Sequence, residues 1–336
     1  MPKSDTSVQE DQTDAAARRA KGEFVRGVSG FRHAIGDPDF PVETGRYHLF
    51  VALNCPWCHR VTLARNILGL QDAISVDVAF PNRTGDDDPR GPNLWEFDPG
   101  RVATLTGTPL PECTPDTGTG RGLRLAKDIY GAEGSPEQSV PILYDKIAQR
   151  IVNNESAEII RMLDRHAQAL GGTDNTRLYP EDPDLRARID ALNDRIYATI
   201  NNGAYKAGFS SDQAVYAAAF TAYFDTLDHL DKLLSDGRDF LTGPQLTDAD
   251  LRLFPTLYRH DPVYVVRMKL NGARIVDYPK LWRWLCRMYA LDGVADSGSL
   301  LHCRQGYFGR SWNGVVPLGP FTPMPYPEAY EHPELA

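Results

Sequence analysis

The feature that most limits the fold of this chain is the order of strand and helix patterns in its first half. Four segments are rich in β-forming residues: "RYHLFVAL" (46–53), "ISVDVAF" (74–80), "VPILYDK" (140–146) and "RIVNN" (150–154). A helical spacing of apolar residues follows the first strand, and further helices flank the last two strands, which have the spacing of a hairpin. This order predicts a mixed sheet covered by helices.

The order of elements is that of an α/β thioredoxin-like domain. After the linker 171–183 the patterns become helical throughout, which predicts an all-α domain in the second half. The chain up to about residue 22 is polar and is expected to be disordered, and Phe24 to Thr44 is expected to lie on the folded body as an extended arm. The predicted parts are an N-terminal extension (1–45), a thioredoxin-like domain (46–170), an all-helical domain (184–300) and a C-terminal tail (301–336).

The composition excludes several classes of protein. The chain of 336 residues carries a net charge of −9 and its basic residues are not clustered, so neither nucleic acid nor a membrane surface is an expected partner. It has no long apolar run, and its polar N-terminus lacks the apolar stretch of a signal peptide, so a cytoplasmic location is expected. Five cysteines are too few for a disulfide scaffold.

The stretch "NCPWCHR" (54–60) lies at the turn between the first strand and the helix after it, and it allows three chemistries. These are covalent attachment of a c-type haem, the start of a zinc site, and a thiol redox centre. Haem is normally attached outside the cytoplasm, and the scattered cysteines Cys113, Cys286 and Cys303 form no second ligand pair. Neither haem nor any metal is therefore expected, and a thiol centre is favoured.

Cys55 is the candidate nucleophile of this centre. It stands where the helix begins, with Pro56 in the first helical position, and the unpaired N–H groups of a helix N-terminus stabilise a thiolate. Cys58, one turn later, is either a second reactive thiol or a small core residue, and the sequence leaves both possibilities open. His59 and Arg60 are expected to face solvent or to form ion pairs.

Two further stretches predict a binding site beside this cysteine. In "SVPIL", a cis peptide bond is expected between Val140 and Pro141, and the backbone edge there can pair with a peptide-like ligand. In "NESAE", Glu155 and Ser156 open a helix whose N–H groups and hydroxyl can hold a carboxylate, and Asn154 is the predicted N-cap. Together these features predict a site for a small anionic thiol peptide.

With these features the chain resembles a known family, the glutathionyl-hydroquinone reductases, which form the xi class of the glutathione transferases. The stretches that carry the resemblance are "GEFVRGVSGFR", "GRYHLFVALNCPWCHR", "VPILYDK", "VNNESAEIIRML", "NNGAYKAGF", "LTDADLRLFPTLYRHDPVY" and "VVPLGP". They extend from Glu23 to Pro320. The resemblance implies a thioredoxin-like domain followed by an all-helical domain, which is the glutathione transferase architecture, and a homodimer.

The resemblance also implies a reaction with glutathione as co-substrate and a small aromatic molecule as the second substrate. Cys55 would attack the sulfur of a glutathionyl-hydroquinone, release the hydroquinone and form a mixed disulfide that a second glutathione resolves. Tyr205 and Tyr264 would line the aromatic pocket, where a phenol can donate a hydrogen bond to a hydroquinone oxygen; core packing is the alternative for both. The residues implied to hold glutathione are Trp95, Arg124, Val140, Pro141, Glu155 and Ser156.

The chain departs from the family pattern near its C-terminus. The family has His-Tyr-Tyr followed by Asn-Pro, whereas here His302 is followed by Cys303 and Arg304, and Ser-Trp at 311–312 replaces Asn-Pro. One pocket tyrosine is therefore missing unless Tyr307 replaces it. The glutathione half of the site is expected to be intact, and the range of aromatic substrates is expected to be shifted.

Three other functions remain open. A glutathione transferase or β-etherase-like lyase would conjugate glutathione, but conjugating classes activate it with a Ser or Tyr hydroxyl, which Cys55 does not match. A dithiol oxidoreductase would use Cys55 together with Cys58, which stands where the family has alanine. A non-catalytic binding protein on the same fold is disfavoured by the intact Cys turn and by the "VP" and "ES" pairs.

Overall fold

The first half of the protein is a four-stranded sheet with helices packed on it. A computed structural model describes residues 18–86, 88–99, 112–174, 176–309, 315–317 and 319. The strands are β1 (Tyr47–Val51), β2 (Ser75–Val78), β3 (Ile142–Asp145) and β4 (Arg150–Asn153), and the helices are α1 (Pro56–Ile67), α2 (Ala126–Gly131) and α3 (Ser156–Leu170). The spatial order is β2-β1-β3-β4; β1 is parallel to β2, and the other pairs are antiparallel. The predicted fold class is confirmed.

The hairpin between β3 and β4 is closed by a side chain that sequence propensities favour in turns. Asp145 ends β3, and its Oδ1 accepts hydrogen bonds from the N–H groups of Ile147 and Ala148, both at 2.9 Å. Gln149 completes the turn with a φ of 56°. The antiparallel pairing places the end of β4 beside the start of β3, so α3 begins next to Pro141.

The second half is helical. Its helices are α4 (Pro183–Arg195), α5 (Asn202–Phe209), α6 (Gln213–Leu233), α7 (Asp248–Arg259), α8 (Pro279–Tyr289) and α9 (Leu300–Phe308). A π-helical turn (Ile196–Asn201) joins α4 to α5, and a second one (His260–Tyr264) follows α7. Such turns are often found at functional sites. A capping box opens α7, where the carboxylate of Asp250 accepts a hydrogen bond from the N–H group of Thr247 at 3.0 Å.

Helix α1 is the centre of the molecule. It packs on the sheet, on α3 and on α7, and every residue of α1 except Arg65 is buried. A helix that is covered on all sides lacks a polar face, so its polar side chains must find partners inside the protein. This explains a wrong prediction: His59 and Arg60, expected at the surface or in ion pairs, are both buried.

Three other predictions differ from the structure. The N-cap of α3 is Glu155 instead of Asn154, because Glu155 still has an extended backbone and its Oε1 accepts the N–H group of Ala157 at 3.2 Å. The predicted tail begins as helix α9, which Ser299 caps. Part of the extension expected to be disordered, Arg18–Ala20, is a helical turn, while residues 1–17 lie outside the described range.

Candidate active site

Cys55 lies at the turn between β1 and α1, where the sequence places a thiol centre. Its backbone is extended (φ −81°, ψ 121°), and Pro56 takes the first helical position as predicted. The side chain is 8% exposed, and its Sγ lies 3.8 Å from the carbonyl oxygen of Val140. The thiol therefore sits between the start of a helix and the strand end that precedes β3.

The pKa of Cys55 is lowered to about 6. Burial opposes ionisation, but the Cys58 thiol, the Cys58 N–H group, the charge of Arg26 and the Trp57 N–H group together favour the thiolate. Burial, followed by its interaction with Cys55, raises the pKa of Cys58 well above the usual value. At neutral pH Cys55 is the thiolate of the pair and Cys58 is the protonated partner.

Cys58 combines the two possibilities that the sequence leaves open. Its side chain is fully buried, and its Sγ accepts a hydrogen bond from the backbone N–H group of Ala52 at 3.3 Å. Both cysteines are free thiols in the structure. Cys58 is thus a core residue that also acts directly on the reactive sulfur.

Four of the residues expected to hold glutathione, Val140, Pro141, Glu155 and Ser156, lie at the start of β3 and at the start of α3. The peptide bond between Val140 and Pro141 is cis, as predicted. Beside it, Glu155 and the buried Ser156 open α3, with Glu155 Oε2 accepting the Ser29 hydroxyl at 3.3 Å. The main chain at the cis-proline and a helix N-terminus are thus combined next to the cysteine.

Of the two remaining candidates for binding glutathione, Trp95 is buried and Arg124 is exposed. Trp95 is buried, its carbonyl accepts the Ala126 N–H group at 3.0 Å, and the Arg83 guanidinium lies 4.3 Å from its ring centre. The Arg124 side chain is 71% exposed, and its Nε lies 3.5 Å from a carboxylate oxygen of Asp98. Among the described residues, Arg124 contacts none of the other candidates.

The predicted pocket tyrosines meet in a cluster with a third phenol. The hydroxyl of Tyr307, on α9, lies 2.6 Å from that of Tyr205 and 3.1 Å from that of Tyr264. Tyr205 is close enough to Cys55 for the thiolate to contribute, after burial, to the raised pKa of its phenol. All three phenols are therefore protonated at neutral pH and can donate hydrogen bonds.

Comparisons with known proteins agree with this geometry. The model of the glutathione S-transferase N-terminal domain matches residues 54–166, and that of the C-terminal domain matches residues 213–287. The chain is 38% identical to the glutathionyl-hydroquinone reductase PcpF of Sphingobium chlorophenolicum, over 90% of this chain and 92% of that protein. The chain belongs to the glutathione transferase family.

Solved structures narrow the family to its xi class. The xi glutathione transferase of Phanerochaete chrysosporium superposes with a TM-score of 0.78 at 38% identity, covering 91% of this chain and 95% of the other. The glutathione-bound structure of YqjG from Escherichia coli K-12 gives a TM-score of 0.78 at 37% identity, covering 91% and 98%. Glutathione binding is thus seen in a glutathione transferase of the same fold.

In this xi-class chain Cys303 and Arg304 stand where the family has its two tyrosines. The structure shows what these side chains and the neighbouring His302 contact. The Cys303 thiol lies 3.8 Å from the carbonyl oxygen of Leu53, in the loop that leads to the nucleophile. Arg304 donates a hydrogen bond to the carbonyl oxygen of Pro317 at 2.7 Å, and His302 lies 3.3 Å from Glu112. Cys303 also contributes to the raised pKa of Tyr264, after burial and Tyr205. The replaced pair at 311–312 lies outside the described residues.

Arg259 is a site residue that sequence reasoning missed. It is fully buried at the end of α7 and donates hydrogen bonds to the carbonyl oxygens of Leu53 at 2.9 Å and Asn54 at 3.3 Å. It also donates to His59 Nδ1 at 2.9 Å, and burial together with the Arg259 charge holds the pKa of His59 well below its usual value. Its only signal in the sequence was its place in the stretch "LTDADLRLFPTLYRHDPVY".

Arg26 is the second missed residue. It comes from the N-terminal arm, within the stretch "GEFVRGVSGFR", and its guanidinium lies 3.9 Å from the centre of the Trp57 ring. Nothing in the local pattern indicates that this arm reaches the cysteine turn, because the contact joins segments about 30 residues apart through tertiary packing alone.

Within the described part of the chain, no three His, Cys, Asp or Glu side chains are grouped as metal ligands. The described helices also include none whose length and apolar character would suit a membrane span.

Proposed function

We propose that this protein removes glutathione from glutathionyl-hydroquinones, or from related glutathionyl aromatic adducts, through a mixed disulfide at Cys55. The observation that carries the proposal is the juxtaposition of a thiolate-forming Cys55 with a cis-proline edge on one side and a cluster of phenols on the other. The names of the relatives PcpF and YqjG as glutathionyl-hydroquinone reductases support it.

In the first step the Cys55 thiolate attacks the sulfur of the adduct. A disulfide bond forms between Cys55 and glutathione while the carbon–sulfur bond to the aromatic ring breaks. The electron pair of that bond goes to the ring carbon, which also takes a proton, so the aromatic product leaves as the free hydroquinone. Hydrogen bonds from Tyr205, Tyr264 and Tyr307 to the hydroquinone oxygens stabilise the charge that develops on the departing ring.

In the second step the thiolate of another glutathione attacks the mixed disulfide. Glutathione disulfide leaves, and Cys55 is restored as a thiolate. The overall reaction oxidises two glutathione units to one disulfide and reduces the adduct. The lowered pKa of Cys55 helps both steps, since it supplies the attacking thiolate first and a good leaving group afterwards.

Glutathione is the co-substrate, and the residues proposed to hold it lie on the sheet side of the cysteine. The main chain at Val140 and Pro141 would pair with its backbone, and Glu155 and Ser156 at the start of α3 would bind its γ-glutamyl end. Trp95 and Arg124 are the proposed residues for the remainder of the peptide. We place this chemistry in the cytoplasm, in a homodimer, without a metal or a haem.

The test follows the mass of the intact protein and the release of hydroquinone after mixing with a glutathionyl-hydroquinone. Wild-type protein should gain one glutathione and release one hydroquinone, and Cys55→Ser should do neither. Cys286→Ser, which changes a half-buried cysteine on α8, is the matched control and should behave as wild type. Hydroquinone release by Cys55→Ser would show that the reaction does not pass through this thiol.

The same experiment assigns the fate of the mixed disulfide. In Cys58→Ser the glutathione adduct should form and then disappear at the wild-type rate when free glutathione is added, because the raised pKa of Cys58 makes it a poor attacking thiol. An adduct that persists only in Cys58→Ser would instead indicate an internal disulfide and a dithiol mechanism.

A further inference from the structure

The N-terminal arm contacts every part of the candidate site. The ring of Phe24 packs against Tyr205, with centroids 5.7 Å apart, which places the arm beside the phenol cluster. Further along, Arg26 lies on Trp57, and the Ser29 hydroxyl donates to Glu155 Oε2 at 3.3 Å. In six residues the arm therefore passes from the aromatic half of the site, over the cysteine turn, to the glutathione half.

Arg26 differs from Arg18 and Arg32, which lie before and after it, in having no counter-ion among the described residues. Arg18 is paired with Glu23 and Arg32 with Glu158. Among the residues that the structure describes, no carboxylate pairs with Arg26, and its guanidinium contacts the face of the Trp57 indole. An aromatic face attracts a guanidinium without neutralising its charge, so the full positive charge remains available to neighbouring groups.

The charge is held close to the reactive sulfur. Trp57 belongs to the first turn of α1, two residues after Cys55, and its ring is buried. The ionisable groups that face Cys55 are Arg26 from the arm, Cys58 from α1 and Tyr205 from α5, and Arg259 from α7 acts on Cys58. Arg26 is a permanent cation whose charge lowers the pKa of Cys55. The second guanidinium on the Trp57 ring, that of Arg60 at 4.4 Å, is buried and donates a hydrogen bond to Asn201.

We propose that Arg26 is a positioning residue of the active site, fixed on the Trp57 indole so that its charge holds Cys55 in the thiolate form. The inference rests on the proposed function only in taking Cys55 as the nucleophile. In a buried site a single nearby charge has a large effect on the pKa of a thiol, because little water screens it. The arm therefore contributes to the reactivity of Cys55 as well as packing over the site.

The test measures how the alkylation rate of Cys55 by iodoacetamide depends on pH in the full-length protein. Peptide mass spectrometry separates Cys55 from the other four cysteines. In Arg26→Met the midpoint of the profile should rise by about one pH unit, so that alkylation below the midpoint is about tenfold slower. Arg26→Lys, which keeps the charge, should restore at least half of that shift.

Arg32→Gln is the matched control, because it removes a charge from the same arm at a site that pairs with Glu158 instead of facing Cys55. Its midpoint should equal that of the wild type. The proposal is overturned if Arg26→Met keeps the wild-type midpoint, if Arg26→Lys behaves like Arg26→Met, or if Arg32→Gln shifts the midpoint equally. Alkylation needs no glutathionyl substrate, so this outcome is independent of whether the protein proves to be a hydroquinone reductase.

Discussion

At the scale of single residues, the two cysteines of one helical turn show how position decides reactivity. Cys55 and Cys58 are both buried, yet the pKa of the first is lowered to about 6 while that of the second is raised. Cys55 lies at the open end of the helix, where N–H groups and a cation reach its sulfur, whereas Cys58 lies under the helix against the strand end at Ala52. The same element therefore holds a nucleophile and its hydrogen-bond donor.

The phenol cluster supports a prediction about Tyr307, which the sequence offers as a replacement for the missing pocket tyrosine. Tyr307→Phe removes the hydroxyl that joins Tyr205 to Tyr264, and with it a donor proposed to face the hydroquinone. We expect hydroquinone release to become about tenfold slower, the effect of losing one hydrogen bond in the transition state. The pH profile of Cys55 alkylation should not change, since the sulfur chemistry does not depend on Tyr307.

Steady-state release of hydroquinone, combined with the alkylation profile, checks this prediction. Tyr216→Phe is the control, because it also removes a phenol hydrogen bond, to the carbonyl oxygen of Lys269, but away from the cluster. Wild-type turnover in Tyr307→Phe would mean that the phenol on α9 only fills space.

At the scale of elements, α9 shows how closely a helix can approach the cysteine loop. A Cβ atom on Gly306 would stand 2.1 Å from Asn54 Nδ2 and 2.8 Å from the carbonyl oxygen of Pro81. The same Asn54 amide donates to Pro81 at 3.1 Å, so it has little freedom to move away. The absence of a side chain at Gly306 thus lets α9 rest on the residue before Cys55 and brings Tyr307 into the cluster.

We expect Gly306→Ala to destabilise the protein by about 1 kcal/mol, measured by urea unfolding. The helix propensity of alanine contributes about 1 kcal/mol in its favour, but overpacking against a fixed backbone atom costs about 1–3 kcal/mol. Gly203→Ala on α5 is the matched control, because its nearest neighbour would lie 3.6 Å away, and it should stabilise the protein. Stabilisation by both substitutions would show that α9 can shift without cost.

At the scale of the whole molecule, the buried helix α1 and the buried Arg259 connect the two halves. Helix α1 belongs to the sheet half by sequence but is packed against α7 of the helical half. Arg259 from α7 donates hydrogen bonds to the carbonyl oxygens of Leu53 and Asn54 through the fixed fork of its guanidinium. The loop that presents the nucleophile is therefore held in place by the other half of the chain.

Removing this arginine should loosen both halves together. Arg259→Met leaves the buried carbonyl oxygen of Asn54 without a donor and that of Leu53 with only the weak donor Cys303 Sγ at 3.8 Å. We expect the free energy of unfolding to fall by about 3 kcal/mol. Hydrogen exchange should become faster in the cysteine loop as well as in α7. Arg283→Met is the control, because Arg283 also donates to two carbonyl oxygens but at the surface, and a loss below about 0.5 kcal/mol is expected. Faster exchange confined to α7 would contradict the shared support.

The sequence predicted the order of elements well because each strand and helix has a periodicity of its own. The cysteine turn, the cis-proline edge and the opening of α3 could also be predicted, since each is a local pattern. The burial of His59 and Arg60 could not, because it depends on α7 covering α1 from a distant part of the chain. Arg26 and Arg259 were missed for the same reason: their partners are set by packing between segments, which a single sequence does not display.

The separate origins of the thiol and the phenols have a consequence for how such a protein can change. The sulfur centre and its peptide-binding edge come from the sheet, whereas Tyr307 comes from a nine-residue helix at the end of the described chain. Mutations in that helix can redesign the aromatic pocket while the sulfur chemistry is inherited unchanged. We expect the replacement of the two family tyrosines by Cys303 and Arg304, which lie on that helix, to change the range of aromatic substrates.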